Sequence, residues 1–205
     1  QERMNYPVVP SEIFMNNKGS IFPLIEINEQ LKWVIANEKK IQKFTSVGDL
    51  VYTEEGLKFN TDENAIPINK FPLEKGADLT GSIVIYEHPP EYIPENLYKI
   101  VYDPVRDENI DKMDQGISLA AIYVYKAINT YQDMKDSLVA SYVGRLRNTD
   151  QIHEIALKLA LYYNAKIMVE MDLPGFYKYC LQRKRLNLLA KTPVVMINKF
   201  NANAK

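Results

Sequence analysis

Two carboxylates stand out because each follows an apolar run. Asp103 comes after Ile100-Val101-Tyr102 in the stretch LYKIVYD, and Glu170 comes after Ile167-Met168-Val169 in KIMVEM. A carboxylate in an apolar strand is costly to bury unless it is paired or bound to a metal. Taken singly, Asp103 reads as a turn residue before Pro104, and Glu170 as an ion-pair partner for a lysine. On neighbouring strands the two can converge and hold two divalent ions about 3.5–4 Å apart, suited to activating water and stabilising the leaving oxygen of a phosphodiester. Other ligand chemistry is scarce. One cysteine and two histidines exclude a cysteine-based zinc cluster and a multi-histidine site. Oxygen ligands are left, and these suit Mg²⁺ or Mn²⁺. Such sites commonly draw on about three or four acids, and Asp114 and Asp172 are the lesser candidates, with Asp107, Glu108 and Asp111 in the same loop as Asp114. Asp172 also reads as a helix-entry acid in Asp172-Leu173-Pro174-Gly175, complementing the helix dipole.

The elements that must position these residues follow from periodicity. Leu97 to Asp103 predicts a strand, then an acidic loop from Pro104 to Gln115, a second strand from Ile117 to Lys126 and a third from Ser137 to Val143. The short connections favour antiparallel neighbours. An amphipathic helix follows, with Ile152, Ile155, Ala156, Leu159, Ala160 and Tyr163 on one face. Asn148 is its N-cap with Gln151 in the capping-box position, and Asn164 is its left-handed stop. Lys166 to Met171 predicts a fourth strand, Gly175 to Ala190 a second helix and Pro193 to Ile197 a fifth strand. A helical crossover delivers the fourth strand parallel to the first. The expectation is therefore an α/β fold with a mixed sheet: three antiparallel strands, then parallel crossover strands, flanked by helices. This is the layout of a ribonuclease H-like domain.

The first 95 residues differ, holding eight of the eleven prolines. They predict a linker region of short elements: a helix from Ser11 to Phe14, a helical stretch from Glu26 to Lys40 with Ile27, Leu31, Val34 and Ile35 at helical spacing, a hairpin from Asp49 to Phe59 and a strand from Ser82 to Tyr86. Residues 96–205 form the second expected domain.

Charge is uneven. Residues 173–205 carry seven basic side chains and no acid, so with a chain total of −1 the remainder stands at −8. A short basic run alone is more simply a solvated helix face; beside an acidic site it suggests contact with a polyanion. Lys178, Arg183, Lys184 and Arg185 are the expected phosphate contacts.

Several classes are excluded. There is no phosphate-binding G-x-x-x-x-G-K-[ST] loop, no G-x-G-x-x-G and no G-x-S-x-G elbow. No apolar run approaches the ~20 residues of a membrane helix, and no secretory leader is legible after Glu2 and Arg3. A lone Cys180 excludes an intrachain disulfide and fits a reducing compartment. Set among Tyr177, Tyr179 and Leu181, it reads as a core residue. His153 reads as a surface or interface residue and His88 as a turn residue.

The stretch YVGRLRNTDQIHEIALKLALYYNAKIMVEMDLPGFYKYCL resembles the nuclease part of tailed-phage large terminases, the motor subunits of DNA packaging. The likeness lies in a strand, Gly-Arg, a helix ending in Tyr-Asn-Ala, then a strand with Val-Glu and a following Gly. NLYKIVYDPVRD resembles the strand of the first metal aspartate, and ERMNYPVVPSEIF with GSIFP resembles the link from the motor domain. The resemblance implies a metal-dependent endonuclease that cuts concatemeric duplex DNA in the host cytoplasm, with two Mg²⁺ or Mn²⁺ ions and with the small terminase and portal as partners. Asp103 matches the first aspartate and Glu170 the strand-four glutamate, while Asp172 falls where the family often has Asn. The family's last metal aspartate lies beyond strand five, and its phosphate loop belongs to the motor domain. The chain therefore reads as a fragment lacking both. Two other readings stand beside it: a catalytically silent ribonuclease H-like module that binds DNA or packaging proteins, and a recombination or junction-resolving nuclease.

Overall fold

The computed structural model describes residues 23–42, 44–71, 73, 74, 76–105, 118–127, 137–169 and 174–191. The chain divides into two units, Gln1–Phe44 and Thr45–Lys205. The helix expected at Ser11 to Phe14, the strand expected at Pro193 to Ile197 and most of the acidic loop lie outside the described residues.

In the first unit, α1 (Leu24–Ala36) and α2 (Glu38–Gln42) occupy the predicted helical stretch. The helix breaks at Asn37, where the backbone N–H and Nδ2 both donate to the carbonyl of Trp33, at 3.0 and 2.8 Å. The backbone bond is the ordinary i→i−4 bond of the helix, and the Nδ2 bond is the side-chain competitor for the same carbonyl. α1 buries none of its residues; Ile27, Leu31, Val34 and Ile35 are all exposed.

The second unit is an α/β structure built on one seven-stranded mixed sheet in the order β2-β1-β3-β6-β5-β4-β7. Its strands are β1 (Ser46–Thr53), β2 (Gly56–Thr61), β3 (Ile83–Ile85), β4 (Tyr98–Asp103), β5 (Ala120–Lys126), β6 (Ser137–Gly144) and β7 (Lys166–Val169). All neighbours are antiparallel except β4 and β7, which are parallel. The division expected at residue 95 is corrected here. β1, β2 and β3 belong to the same sheet as β4–β7, because β3 pairs with β6 across a long sequence interval. Pro67, Pro89, Pro90 and Pro94 fall in the connections between these strands. Gly81 makes the approach of β3 possible. At φ +65° it lies so close to β6 that a Cβ would fall 2.0 Å from the carbonyl oxygen of Val143.

α3 (Thr149–Tyr162) begins as the sequence predicts, with the Asn148 side chain accepting from the N–H of Asp150 at 2.9 Å. It ends in a Schellman turn. Asn164 has φ 47°, and the N–H of Ala165 donates to the carbonyl of Ala160 at 2.9 Å. α4 (Pro174–Gln182) is shorter than expected. Lys184 adopts φ 56° and the N–H of Arg185 donates to the carbonyl of Cys180 at 2.8 Å, closing a second turn of the same kind. Nothing in residues 175–190 signalled this stop, since no Gly or Asn stands at the left-handed position. A 3-10 turn, Leu186–Leu188, then brings Leu189 into a parallel bridge with Ile167 of β7.

Both helices pack on one face of the sheet. β4 alternates, with Tyr98, Ile100 and Tyr102 buried and Lys99, Val101 and Asp103 exposed. The buried set meets Ile152, Ala156, Leu159, Ala160 and Tyr163 of α3 and its end, and Phe176 and Cys180 of α4, in a single core. Cys180 is fully buried, in agreement with its reading as a core residue, and burial pushes its thiol up to about 11.

Candidate functional site

Asp103 closes β4 on the sheet face away from α3 and α4, opposite the small Ala121 of β5. On its other side β4 runs parallel to β7, with Val101 opposite Met168 and Tyr102 opposite Val169. β7 alternates too, Lys166 and Met168 being exposed and Ile167 buried. The last register pair thus ends one residue before Asp103 on β4 and, in sequence, one residue before Glu170. Glu170, Asp172 and Asp114 lie outside the described residues. Among the described residues, no group of three or more His, Cys, Asp or Glu side chains is gathered as a metal site.

Behind Asp103, on the buried face, lies a cluster that sequence reading missed. His153 is only 5% exposed, an interior residue where a surface or interface residue was expected. Its Nδ1 shares a hydrogen bond of 2.7 Å with the hydroxyl of Tyr102. Its ring lies 5.1 Å from that of Phe176 and 5.4 Å from that of Tyr179, centroid to centroid, and Tyr102 meets Phe176 edge-on at 5.0 Å. Burial above all, with Tyr142, Asp103 and Cys180 adding to it, raises the pKa of Tyr102 far beyond the usual phenol range, so the hydroxyl stays protonated. The signal in the sequence was weak. His153 lies beside Ile152 and three residues before Ala156, so it belongs to the apolar stripe once that stripe is drawn one position wider.

The basic residues are exposed: Lys178 in the middle of α4, and Arg183, Lys184 and Arg185 after its end. They are not equivalent. Glu154 of α3 accepts from the hydroxyl of Tyr179 at 2.6 Å and from Tyr52 at 3.3 Å, and lies 4.0 Å from the Arg183 guanidinium. Arg183 also sits over the Tyr179 ring, 5.2 Å from its centroid. Its hydrogen bond to Tyr179 and the nearby Glu154 carboxylate raise its pKa further. Arg183 is therefore held, and its charge partly offset, by its own surroundings. The second histidine, His88, is more than a turn residue: its Nε2 lies 3.1 Å from Ser46 Oγ and its Nδ1 2.9 Å from Tyr162 OH.

Comparison with protein-family models, with curated proteins and with solved structures finds no match. Among the described residues, no helix is long and apolar enough to cross a membrane.

Proposed function

We propose that this chain carries a ribonuclease H-like nuclease domain that hydrolyses phosphodiester bonds of duplex DNA, in the manner of the tailed-phage large terminases it resembles. One observation carries the reading: β4 and β7 are parallel neighbours in a register that ends with Tyr102 opposite Val169, the residues immediately before Asp103 and Glu170. The strand succession β6-β5-β4-β7, parallel only in its last pair, and the parallel bridge of Leu189 to Ile167 support the same fold reading.

Asp103 fits a hard divalent ion. It is an exposed carboxylate at a strand end, opposite the small Ala121, and carboxylate oxygens are the donors such an ion takes. Asp103 and Glu170 are the proposed ligands, with Asp172 and Asp114 as further oxygen donors. Mg²⁺ or Mn²⁺, two ions in all, would supply Lewis-acid stabilisation of the charge that develops on the phosphate. The chain's own contribution is to hold the carboxylates in place and to offer Lys178, Lys184 and Arg185 as phosphate contacts. By the same resemblance the small terminase and portal are the proposed protein partners, and the host cytoplasm the place of action.

The test is cutting of plasmid DNA by the purified chain with Mg²⁺ or Mn²⁺, against the Asp103→Asn variant and against chelator. Metal-dependent cutting lost in the variant supports the reading; cutting that persists in Asp103→Asn removes the site. A silent binding module draws support from a different observation. Val101, Tyr123 and Met168 form one register row on the open face beside Asp103, exposed by 48, 40 and 44%. DNA binding without cutting by a well-folded protein, in either metal, would favour that module.

A further inference from the structure

We propose that His153 is a positioning residue for the Asp103 edge, acting through the hydroxyl of Tyr102; the inference rests on the nuclease reading above. Three elements meet at this imidazole. Tyr102, the neighbour of Asp103, comes from β4 and is bonded to Nδ1 at 2.7 Å. His153 itself sits near the start of α3, four residues after Thr149. Phe176 and Tyr179 come from α4, the helix that follows Glu170 in sequence. A Cβ at Gly175 would lie 3.6 Å from Nε2, so the first turn of α4 also approaches the ring.

A polar pair inside an aromatic box is not needed for packing. Replacing both partners of a buried hydrogen bond by apolar groups of the same shape can be nearly neutral for stability. What such a pair adds is direction. The bond allows few orientations of the Tyr102 ring, and with it the end of β4, against α3 and α4. A metal site needs that restriction, since its ligands must be held to within about 0.5 Å by the groups behind them. Tyr102 and His153 touch no substrate. Their effect passes through the backbone that presents Asp103.

The experiment compares the full chain with Tyr102→Phe and with the double variant Tyr102→Phe/His153→Phe. Three quantities are measured: the unfolding temperature without metal, Mn²⁺ binding by titration calorimetry, and the plasmid cutting rate against Mg²⁺ concentration. Outer groups of this kind typically alter metal affinity or activity by about 10–100-fold. Tyr102→Phe is expected to weaken Mn²⁺ binding and slow cutting by roughly tenfold. The double variant should recover most of the unfolding temperature, yet remain impaired in binding and cutting. Wild-type Mn²⁺ binding and cutting in Tyr102→Phe would overturn the proposal, as would their return with stability in the double variant, which is the mark of a packing role alone. A wild-type chain that neither binds Mn²⁺ nor cuts would overturn the nuclease reading and this inference with it; defects confined to the variants cannot be confused with that result.

Discussion

Tyr102 of β4 lies directly opposite Val169 of β7 in the one parallel pair among the named strands. The crossover through α3 creates this relationship, because it carries the chain from β6 back past β5 to lay β7 beside β4. Asp103 follows one of these residues and Glu170 the other. The 67 positions between Tyr102 and Val169 are thereby reduced to one strand spacing in the sheet, about 4.8 Å.

Three of the acids, Glu170, Asp172 and Asp114, should separate by role. Glu170→Gln is expected to reduce metal-dependent cutting by more than roughly 100-fold while DNA binding in a mobility-shift assay survives. Asp172→Asn and Asp114→Asn should cost far less, because each has a simpler role as a helix-entry or loop acid. Equal losses in all three variants would show that the ligand ranking is mistaken.

Salt dependence should distinguish the arginines. A phosphate contact contributes about 0.9 to the slope of log K against log salt on duplex DNA. Arg185→Gln is expected to flatten the slope by roughly that amount. Arg183→Gln should flatten it less, because Glu154 and the Tyr179 ring already engage that guanidinium. Equal slopes for the wild type and Arg185→Gln would return the basic segment to a solvated helix face.

Alkali should unfold the protein through its tyrosines. Burial first, and nearby Glu87 second, push Tyr98 up to about 12, while Tyr179 is raised to about 12 by burial and Glu154. A folded pKa above the unfolded value of ~10 contributes stability in full below pH ~10 and loses it as pH rises towards 12. The unfolding midpoint in denaturant should thus be level near neutrality and fall from pH ~10 upwards. Phenolate absorbance near 295 nm should show these groups ionising together with unfolding. Full ionisation near pH 10 with the fold intact would contradict their burial.

Gly81→Ala should destabilise the sheet where β3 joins β6. The new Cβ meets backbone, the Val143 oxygen at 2.0 Å, and the φ of +65° is strained for an L residue. A loss of about 2 kcal/mol or more is expected in chemical unfolding. Gly56→Ala, at φ +121° but with nothing within 4 Å, should lose stability through backbone strain alone. Equal stability of Gly81→Ala and the wild type would show that β3 can leave β6 without consequence.

Local physics by itself determined the kinds of element and their order from residue 97 to the start of α4. Alternation marked β4, with Tyr98, Ile100 and Tyr102 on one side, and the caps Asn148 and Asn164 marked both ends of α3. These are short-range effects, set by side-chain period and by backbone bonds a few residues long, so they are legible in a chain read without coordinates. Three things were decided only by the tertiary structure. Residues 46–85 joined the main sheet because edge hydrogen bonding between β3 and β6 depends on distant partners. α4 stopped at Gln182 because the chain turned back to bring Leu189 beside Ile167, and that return placed Lys184 in a left-handed conformation no local residue preference called for. His153 became an interior residue and Arg183 a held one because neighbours from other elements, Tyr102 and Phe176 in one case and Glu154 and Tyr179 in the other, closed around them. A polar side chain's environment is set by what folds against it, and only the assembled packing supplies that information.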